Sequence, residues 1–99
     1  MKFYVKIHKS KISCVAAIAD ELIIGKTFKG ENNTKITVSE FFYKGELYPE
    51  DKVIGILKEF LNLNIIGENI VGLAKRLNLI NEKDIIYFEN APHCQIYCV

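Results

Sequence analysis

The chain has 99 residues, of which 49% are hydrophobic and 25% charged, and its formal net charge at pH 7 is +1. This length predicts one domain spanning residues 1–99, and the balance of apolar and charged residues excludes an intrinsically disordered chain. The near-neutral total charge excludes binding of nucleic acid or membrane through an overall field, so only a local patch can carry such a role.

The apolar segments are too short for a membrane protein. The longest uninterrupted apolar run, residues 14–19, is far below the roughly 20 residues that cross a bilayer. Charged residues interrupt the first six positions, which argues against a signal peptide. An odd number of cysteines in such a chain favours reduced thiols. We therefore expect a cytoplasmic protein without membrane association.

The N-terminal segment predicts a β-hairpin. From residue 2 to residue 8 the chain alternates with the period of a strand, and its apolar face consists of Phe3, Val5 and Ile7. The opposite face is basic and aromatic and contains Tyr4, Lys6 and His8. A polar turn at residues 9–11 leads into residues 12–19, which are rich in β-branched and small side chains.

Short secondary-structure elements are predicted in residues 20–46. Asp20 is expected to cap a single helical turn that Gly25 stops. A polar loop precedes a predicted strand at residues 35–41, which residues 43–46 break.

Two helices follow. Pro49 suits the first position of a helix, and an apolar stripe extends the prediction over residues 49–61. A second helical pattern covers residues 67–77, with basic residues in its last turn and Asn78 as its stop. Strands are predicted at residues 83–89 and 95–99, separated by a turn at residues 90–92.

This pattern indicates an α+β fold. The N- and C-terminal strands are expected to form a largely antiparallel sheet, with both helices packed on one of its faces. Extending the strand period back to His93 places His93, Gln95 and Tyr97 on one face of the last strand and Cys94, Ile96 and Cys98 on the other.

Several chemical motifs are incomplete. Residues 25–27 resemble the end of a phosphate-binding loop, but Asp20 occupies the position of its first glycine. Cys94 and Cys98 are about 13 Å apart along a strand, too far for one zinc ion. Adjacent residues of a strand face opposite ways, so His93 activates Cys94 as a nucleophile only if the turn extends through both residues. His8 could approach Cys14 across the hairpin, but no third group is placed to orient it. We predict no metal and no cofactor.

The polar strand faces are the favoured functional surface. Their lysines suit phosphates, their aromatic rings suit unpaired bases, and Gln95 suits a base edge. This surface is continuous if the terminal strands are neighbours that face the same way. The alternative is that these faces are an ordinary solvent-exposed surface of an antiparallel sheet with no binding role.

Four segments resemble a known family in spacing and sequence. They are residues 22–28 (LIIGKTF), 42–46 (FYKGE), 64–68 (NIIGE) and 92–95 (PHCQ), and together they resemble the archaeal small proteins catalogued as domain of unknown function 424. The family pattern ends in Pro-His-Ala-Gln, so Cys94 replaces an alanine. The resemblance implies an archaeal cytoplasmic protein with a small α+β fold, and it singles out Gly25, Lys26, Tyr43, Gly67, Glu68, His93 and Gln95.

The leading hypothesis is a non-enzymatic module that binds RNA or a ribonucleoprotein. The residues expected to contact the ligand are Tyr4, Lys6, His8, Lys26, Tyr43, His93, Gln95 and Tyr97. One alternative is a protein interaction module, such as a homodimer joined through a sheet edge or a helix face. Another is a small-molecule or catalytic site built on His93, Gln95, Lys26 and Tyr43, with the imidazole as acid or base.

Overall fold

The computed structural model describes residues 1–97 as eight strands and three helices. The strands are β1 Lys2–Lys9, β2 Cys14–Asp20, β3 Thr27–Lys29, β4 Lys35–Thr37, β5 Glu46–Pro49, β6 Asn62–Ile66, β7 Ile86–Phe88 and β8 Ala91–Ile96. The helices are α1 Glu40–Tyr43, α2 Glu50–Glu59 and α3 Glu68–Arg76, with additional 3-10 turns at Glu21–Ile23 and Glu82–Asp84. None of the described helices is long and apolar enough to cross a membrane.

Six strands form the main sheet in the order β5-β1-β2-β6-β8-β7. Neighbouring strands are antiparallel except β2 and β6, which pair in parallel at the centre. β3 and β4 form a separate antiparallel hairpin. The fold is therefore α+β with a largely antiparallel sheet, as the sequence predicted.

One face of the sheet packs against α2 and α3. The apolar side of β1 and the Cys94 side of β8 meet the buried stripes of both helices in a single core. Val53 and Leu57 of α2 and Ile70 and Ala74 of α3 are among its fully buried members. This arrangement confirms that the two predicted helices share one face of the sheet.

The other face is covered by elements that the sequence did not predict as a layer. The β3–β4 hairpin and α1 pack over Ala17, Ala19 and Ile66 and form a second core with Val38 and Tyr43. Small residues on β2 let this layer approach the sheet closely. Residues 38–43 thus belong to a covering layer, whereas the sequence suggested that the strand continues to residue 41.

Several predicted boundaries shift. Pro49 ends β5 and is the N-cap residue of α2, which ends at Glu59. The last strand begins at Ala91, so Pro92 lies inside β8 where a turn was expected. The predicted strand at residues 83–89 shortens to Ile86–Phe88, because residues 82–84 form a 3-10 turn. The expected end of the last strand, Cys98 and Val99, lies outside the described residues.

Asp20 caps a helix that is distant in sequence. Its carboxylate accepts hydrogen bonds at 2.9 Å from the backbone N–H groups of Asn69 and Ile70, at the start of α3. Gly67 allows this contact, because its φ of 125° suits glycine and a Cβ there would lie within 2.7 Å of both carboxylate oxygens. Asp20 therefore joins β2 to α3. The sequence predicted that Asp20 caps the turn at residues 21–23, but its side chain makes no capping hydrogen bond there.

Candidate functional site

A short helix organises the polar face of the sheet. Ser39 precedes α1, and its hydroxyl oxygen accepts a hydrogen bond from the backbone N–H of Phe42 at 2.9 Å. This N-cap satisfies a backbone donor at the start of the helix, and Glu40 in the first turn complements the helix dipole. The helix can therefore form although it has only four residues.

The polar face of β1 lies against the outer side of α1. Lys6 Nζ donates to the backbone oxygen of Phe41 at 2.5 Å and lies 4.8 Å from the centre of the Phe41 ring. His8 Nε2 is 2.7 Å from the backbone oxygen of Phe42, so it donates to that carbonyl. The His8 imidazole also stacks on the Phe42 ring, with centroids 4.4 Å apart. The Phe41 side chain remains 82% exposed. Lys6 and His8, both predicted site residues, thus hold α1 in place, and the Phe41 ring on this helix faces solvent.

The inner side of α1 reaches a buried polar group at the centre of the sheet. Tyr43 donates its hydroxyl hydrogen to Asn64 Oδ1 at 2.5 Å, and His93 Nε2 is 3.0 Å from the same oxygen. Tyr43, Asn64 and His93 are all buried. The structure therefore brings together two of the residues that the sequence selected, through a third that it did not.

The protonation states of this network follow from its geometry. An amide oxygen only accepts hydrogen bonds, so the Tyr43 hydroxyl and His93 Nε2 both act as donors. Burial raises the pKa of Tyr43 well above its ordinary value, and the nearby Tyr97 hydroxyl adds to the shift. Burial lowers the pKa of His93. The imidazole is therefore neutral near pH 7, with its proton on Nε2.

Gln95 and Tyr97 lie beyond this network on the same side of the sheet. Both are exposed, and the Tyr97 hydroxyl donates to Gln95 Oε1 at 3.0 Å. The register Lys6 to Ala17, Ala17 to Asn64 and Asn64 to Gln95 crosses four strands. The polar residues of β1 and β8 therefore face the same way, but the two strands are not neighbours, because β2 and β6 separate them.

Because α1 covers the intervening strands, it connects the two polar strand faces. We call the exposed or half-exposed residues around it the α1 surface; they are Tyr4, Lys6, His8, Phe41, Lys44, Gln95 and Tyr97. Lys44 Nζ lies 6.0 Å from the Tyr4 ring centre and pairs with Glu40 at 3.5 Å. The two polar strand faces are thus separated by a helix, where the sequence suggested direct strand contact, and their role in binding stays a prediction.

Lys26 lies elsewhere, at a cavity of about 420 Å³. Asp20, Phe28, Gly67 and Asn69 also line this cavity, whereas Tyr43, His93 and Gln95 do not. It opens where the parallel strands β2 and β6 end, beside the start of α3. Burial raises the pKa of Asp20, against the lowering effect of its two backbone hydrogen bonds. The four residues considered for a catalytic site therefore divide between two places.

The described cysteines occupy separate environments. Cys94 is 2% exposed in the core beneath the helices, and burial raises the pKa of its thiol. Cys14 is half-buried at the start of β2. Within residues 1–97, no three His, Cys, Asp or Glu side chains are grouped as metal ligands. Cys98 lies outside this range.

Three important residues did not stand out in the sequence. Phe41 and Phe42 were assigned to a strand and its end, although Ser39 followed by Glu40 is a helix-start pattern that would have placed them on a helix. Asn64 lies in a short apolar segment, and no local signal marks it as the shared acceptor for two distant donors.

Comparison with known proteins identifies the family and a similar fold. A model of the family described as protein of unknown function (DUF424) matches residues 8–99. The fold is similar to the crystal structure of an uncharacterized conserved protein from the archaeon Methanopyrus kandleri, with a TM-score of 0.78 and 24% sequence identity over 98% of this chain and 91% of that one. No curated protein matches the sequence.

Proposed function

Because the chain belongs to the family described as protein of unknown function (DUF424), its role has to be argued from its own surfaces, and we propose that it is a cytoplasmic RNA-binding module. Single-stranded RNA, alone or within a ribonucleoprotein, would lie across the α1 surface. The observation that carries this proposal is the Phe41 ring, which is 82% exposed while its backbone is held by Lys6.

An exposed aromatic ring on a fixed backbone is a stacking platform. Bases stack on such rings with little preference for sequence, at about 1–3 kcal/mol per base. α1 is held by the Ser39 cap, by the Lys6 and His8 hydrogen bonds and by the buried Tyr43 hydroxyl. The ring therefore needs little reorganisation before a base stacks on it.

Cations and an amide lie on the same side of the sheet as the ring. Lys6 Nζ lies 4.8 Å from the ring centre, Lys44 Nζ lies 6.0 Å from the Tyr4 ring centre, and Gln95 and Tyr97 lie across β2 and β6 from β1. The lysines suit phosphate oxygens, and the Gln95 amide can donate and accept at the edge of an unpaired base. His93 supports the surface from below, because its imidazole binds Asn64 and thereby fixes the oxygen that holds Tyr43.

The first prediction concerns Phe41. Replacement by alanine removes the stacking platform, so we expect Phe41→Ala to weaken binding of a single-stranded RNA of about 12 nucleotides by roughly 5- to 150-fold. Fluorescence anisotropy of labelled RNA at low salt measures this change. For the wild type, log Kd should rise linearly with log salt concentration, because lysines that contact phosphates displace counterions.

Leu22→Ala provides the matched control. Leu22 is also 82% exposed, but it lies on the 3-10 turn beside the Lys26 cavity and not at α1. We expect this variant to bind RNA like the wild type. Wild-type affinity no better than millimolar at low salt, or equal losses in both variants, would refute an RNA site at α1.

A further inference from the structure

β1 is longer than the strand that covers its outer side. It spans Lys2–Lys9, but β5 pairs only with Lys2 to Val5. At Gly45 the chain turns away toward α1, so residues 6–9 have no strand partner on this side within residues 1–97. An unpaired edge of this kind is a template for an added strand.

The orientation of the backbone groups on this edge follows from the hairpin turn. Ser10 N–H donates to Ser13 O at 2.9 Å, so these two residues form a hydrogen-bonded pair. Such pairs alternate along an antiparallel ladder, and the even-numbered residues of β1 therefore bond to β2. The odd-numbered residues of the unpaired part, Ile7 and Lys9, point their N–H and C=O groups outward.

An apolar groove lies directly beside this edge. It has a volume of about 430 Å³ and is lined by Ile7, Tyr48, Ile56 and Phe60, among others, between β1, β5 and α2. These four side chains are only half-buried. A strand added along β1 would direct alternate side chains into the groove.

The charges around the groove indicate which peptide would bind as the added strand. Lys52 lines it, with Glu46 as the only carboxylate in its lining, whereas Lys6 borders the groove but directs its Nζ to Phe41 on the other face of the sheet. Lys9 adds a further cation on the edge itself. We infer that the outer edge of β1 binds an extended acidic peptide of another protein, which pairs with Ile7 and Lys9 and places an apolar side chain in the groove.

The same charges disfavour a second copy of this chain at the edge. If two β1 edges paired through Ile7 and Lys9 about a two-fold axis, each Lys9 would lie opposite Ile7 of the other copy and diagonal to its Lys9. The two lysines would repel each other at this diagonal position, which long side chains can reach. An acidic peptide removes this repulsion, and it also gives the specificity that backbone pairing lacks.

The test uses the full chain and a defined probe. The probe is an acetylated, amidated peptide of about six residues that alternates glutamate with isoleucine. We expect saturable binding by titration calorimetry, and slower hydrogen exchange at the amides of Ile7 and Lys9 in the complex. A second peptide, N-methylated at its pairing amides, should not bind, because it cannot complete the ladder.

Two pairs of variants separate backbone pairing from charge. Lys9→Pro removes an outward N–H and the charge, whereas Lys9→Ala removes only the charge, so the proline variant should bind about 3- to 10-fold more weakly than the alanine variant. Lys52→Glu should weaken binding, whereas Lys58→Glu, on an exposed position of α2 outside the groove lining, should not.

The outcomes distinguish this site from the α1 surface. Binding that survives N-methylation of the peptide, or that Phe41→Ala abolishes while Lys52→Glu leaves it intact, overturns the peptide site. A wild-type chain that light scattering shows to be a dimer, and that becomes monomeric in Lys9→Pro, also overturns it in favour of self-association. Failure of RNA binding by itself leaves the peptide site unaffected, because the peptide site rests on Ile7, Lys9 and Lys52, which are not part of the α1 surface.

Discussion

At the scale of single residues, the most consequential group is the buried Asn64 oxygen. It accepts hydrogen bonds from Tyr43 on α1 and from His93 on β8, so one amide in the central strand holds a covering helix and a distant strand together. No buried side-chain nitrogen or oxygen among residues 1–97 lacks a hydrogen-bond partner. An unpaired buried donor costs about 1–3 kcal/mol, which explains why such a network holds one arrangement.

The titration of His93 should make stability depend on pH. Burial lowers its pKa in the folded state, so the unfolded chain binds this proton more readily than the folded chain. Its contribution to stability is therefore complete above about pH 6.5 and is lost as the pH falls through the lower folded pKa. The loss is at most about 1.4 kcal/mol per pH unit.

His93→Gln tests this linkage, because the glutamine amide can still donate to Asn64 but does not titrate. Between about pH 7 and pH 5, we expect the wild type to lose more free energy of unfolding than the variant, as measured by urea denaturation. Asp20 has a raised pKa and so contributes with the opposite sign, but it is present in both proteins and cancels in the difference. If the free energy of unfolding changed equally with pH in both proteins, a lowered pKa of His93 in the folded state would be contradicted.

At the scale of elements, the joint between β2 and α3 depends on Gly67. Its φ of 125° and ψ of 150° lie in a region that other residues rarely adopt. A Cβ there would also lie against the carboxylate of Asp20, whose oxygens accept hydrogen bonds from the first turn of α3. The glycine therefore permits both the entry of the chain into α3 and its cap.

We expect Gly67→Ala to destabilise the fold by about 2 kcal/mol or more. Gly55 provides the control, since it lies inside α2 and a Cβ there meets no atom within 4 Å. Gly55→Ala should stabilise the protein by about 0.5–1 kcal/mol, because alanine favours the helix. Thermal or urea unfolding measures the change in stability of both variants. Equal changes would show that the junction of β2 and α3 does not require glycine at position 67.

The elements differ in how much of them the sequence predicted. The apolar stripes of α2 and α3 and the alternation of β1 are local patterns, and the structure retains all three. β6 is one of the two central strands but is not among the strands that the sequence predicted, because Leu63, Asn64, Ile65 and Ile66 are buried on both faces of the sheet and leave no clear alternation. The cap of α3 was missed because Asp20 lies 49 residues before its first donor, Asn69.

At the scale of the whole molecule, β2 and β6 form the centre between two covering layers. Most of their residues are buried, with helices on one side and the β3–β4 hairpin and α1 on the other. The hairpin has only three residues in each strand and leaves polar residues exposed. Backbone amides in such different environments should open with different free energies.

Hydrogen exchange can test this layering. We expect the amides of Ile18 and Ile65 to exchange among the slowest, at rates that report global unfolding, whereas Phe28 and Ile36, a hydrogen-bonded pair of the hairpin, exchange through local opening. Mass spectrometry or NMR of the native protein gives these rates. A hairpin as protected as β6 would show that the two layers unfold together.

The sequence by itself determined the fold class, the two helices, the faces of the terminal strands and the family, since each depends on local periodicity or on ordered short motifs. Only the tertiary structure decided which strands are neighbours, that β2 and β6 run parallel, and that α1 lies between Lys6 and Gln95. Periodicity fixes the side to which a residue points but not its partner, because the strand order depends on contacts between residues far apart in the chain.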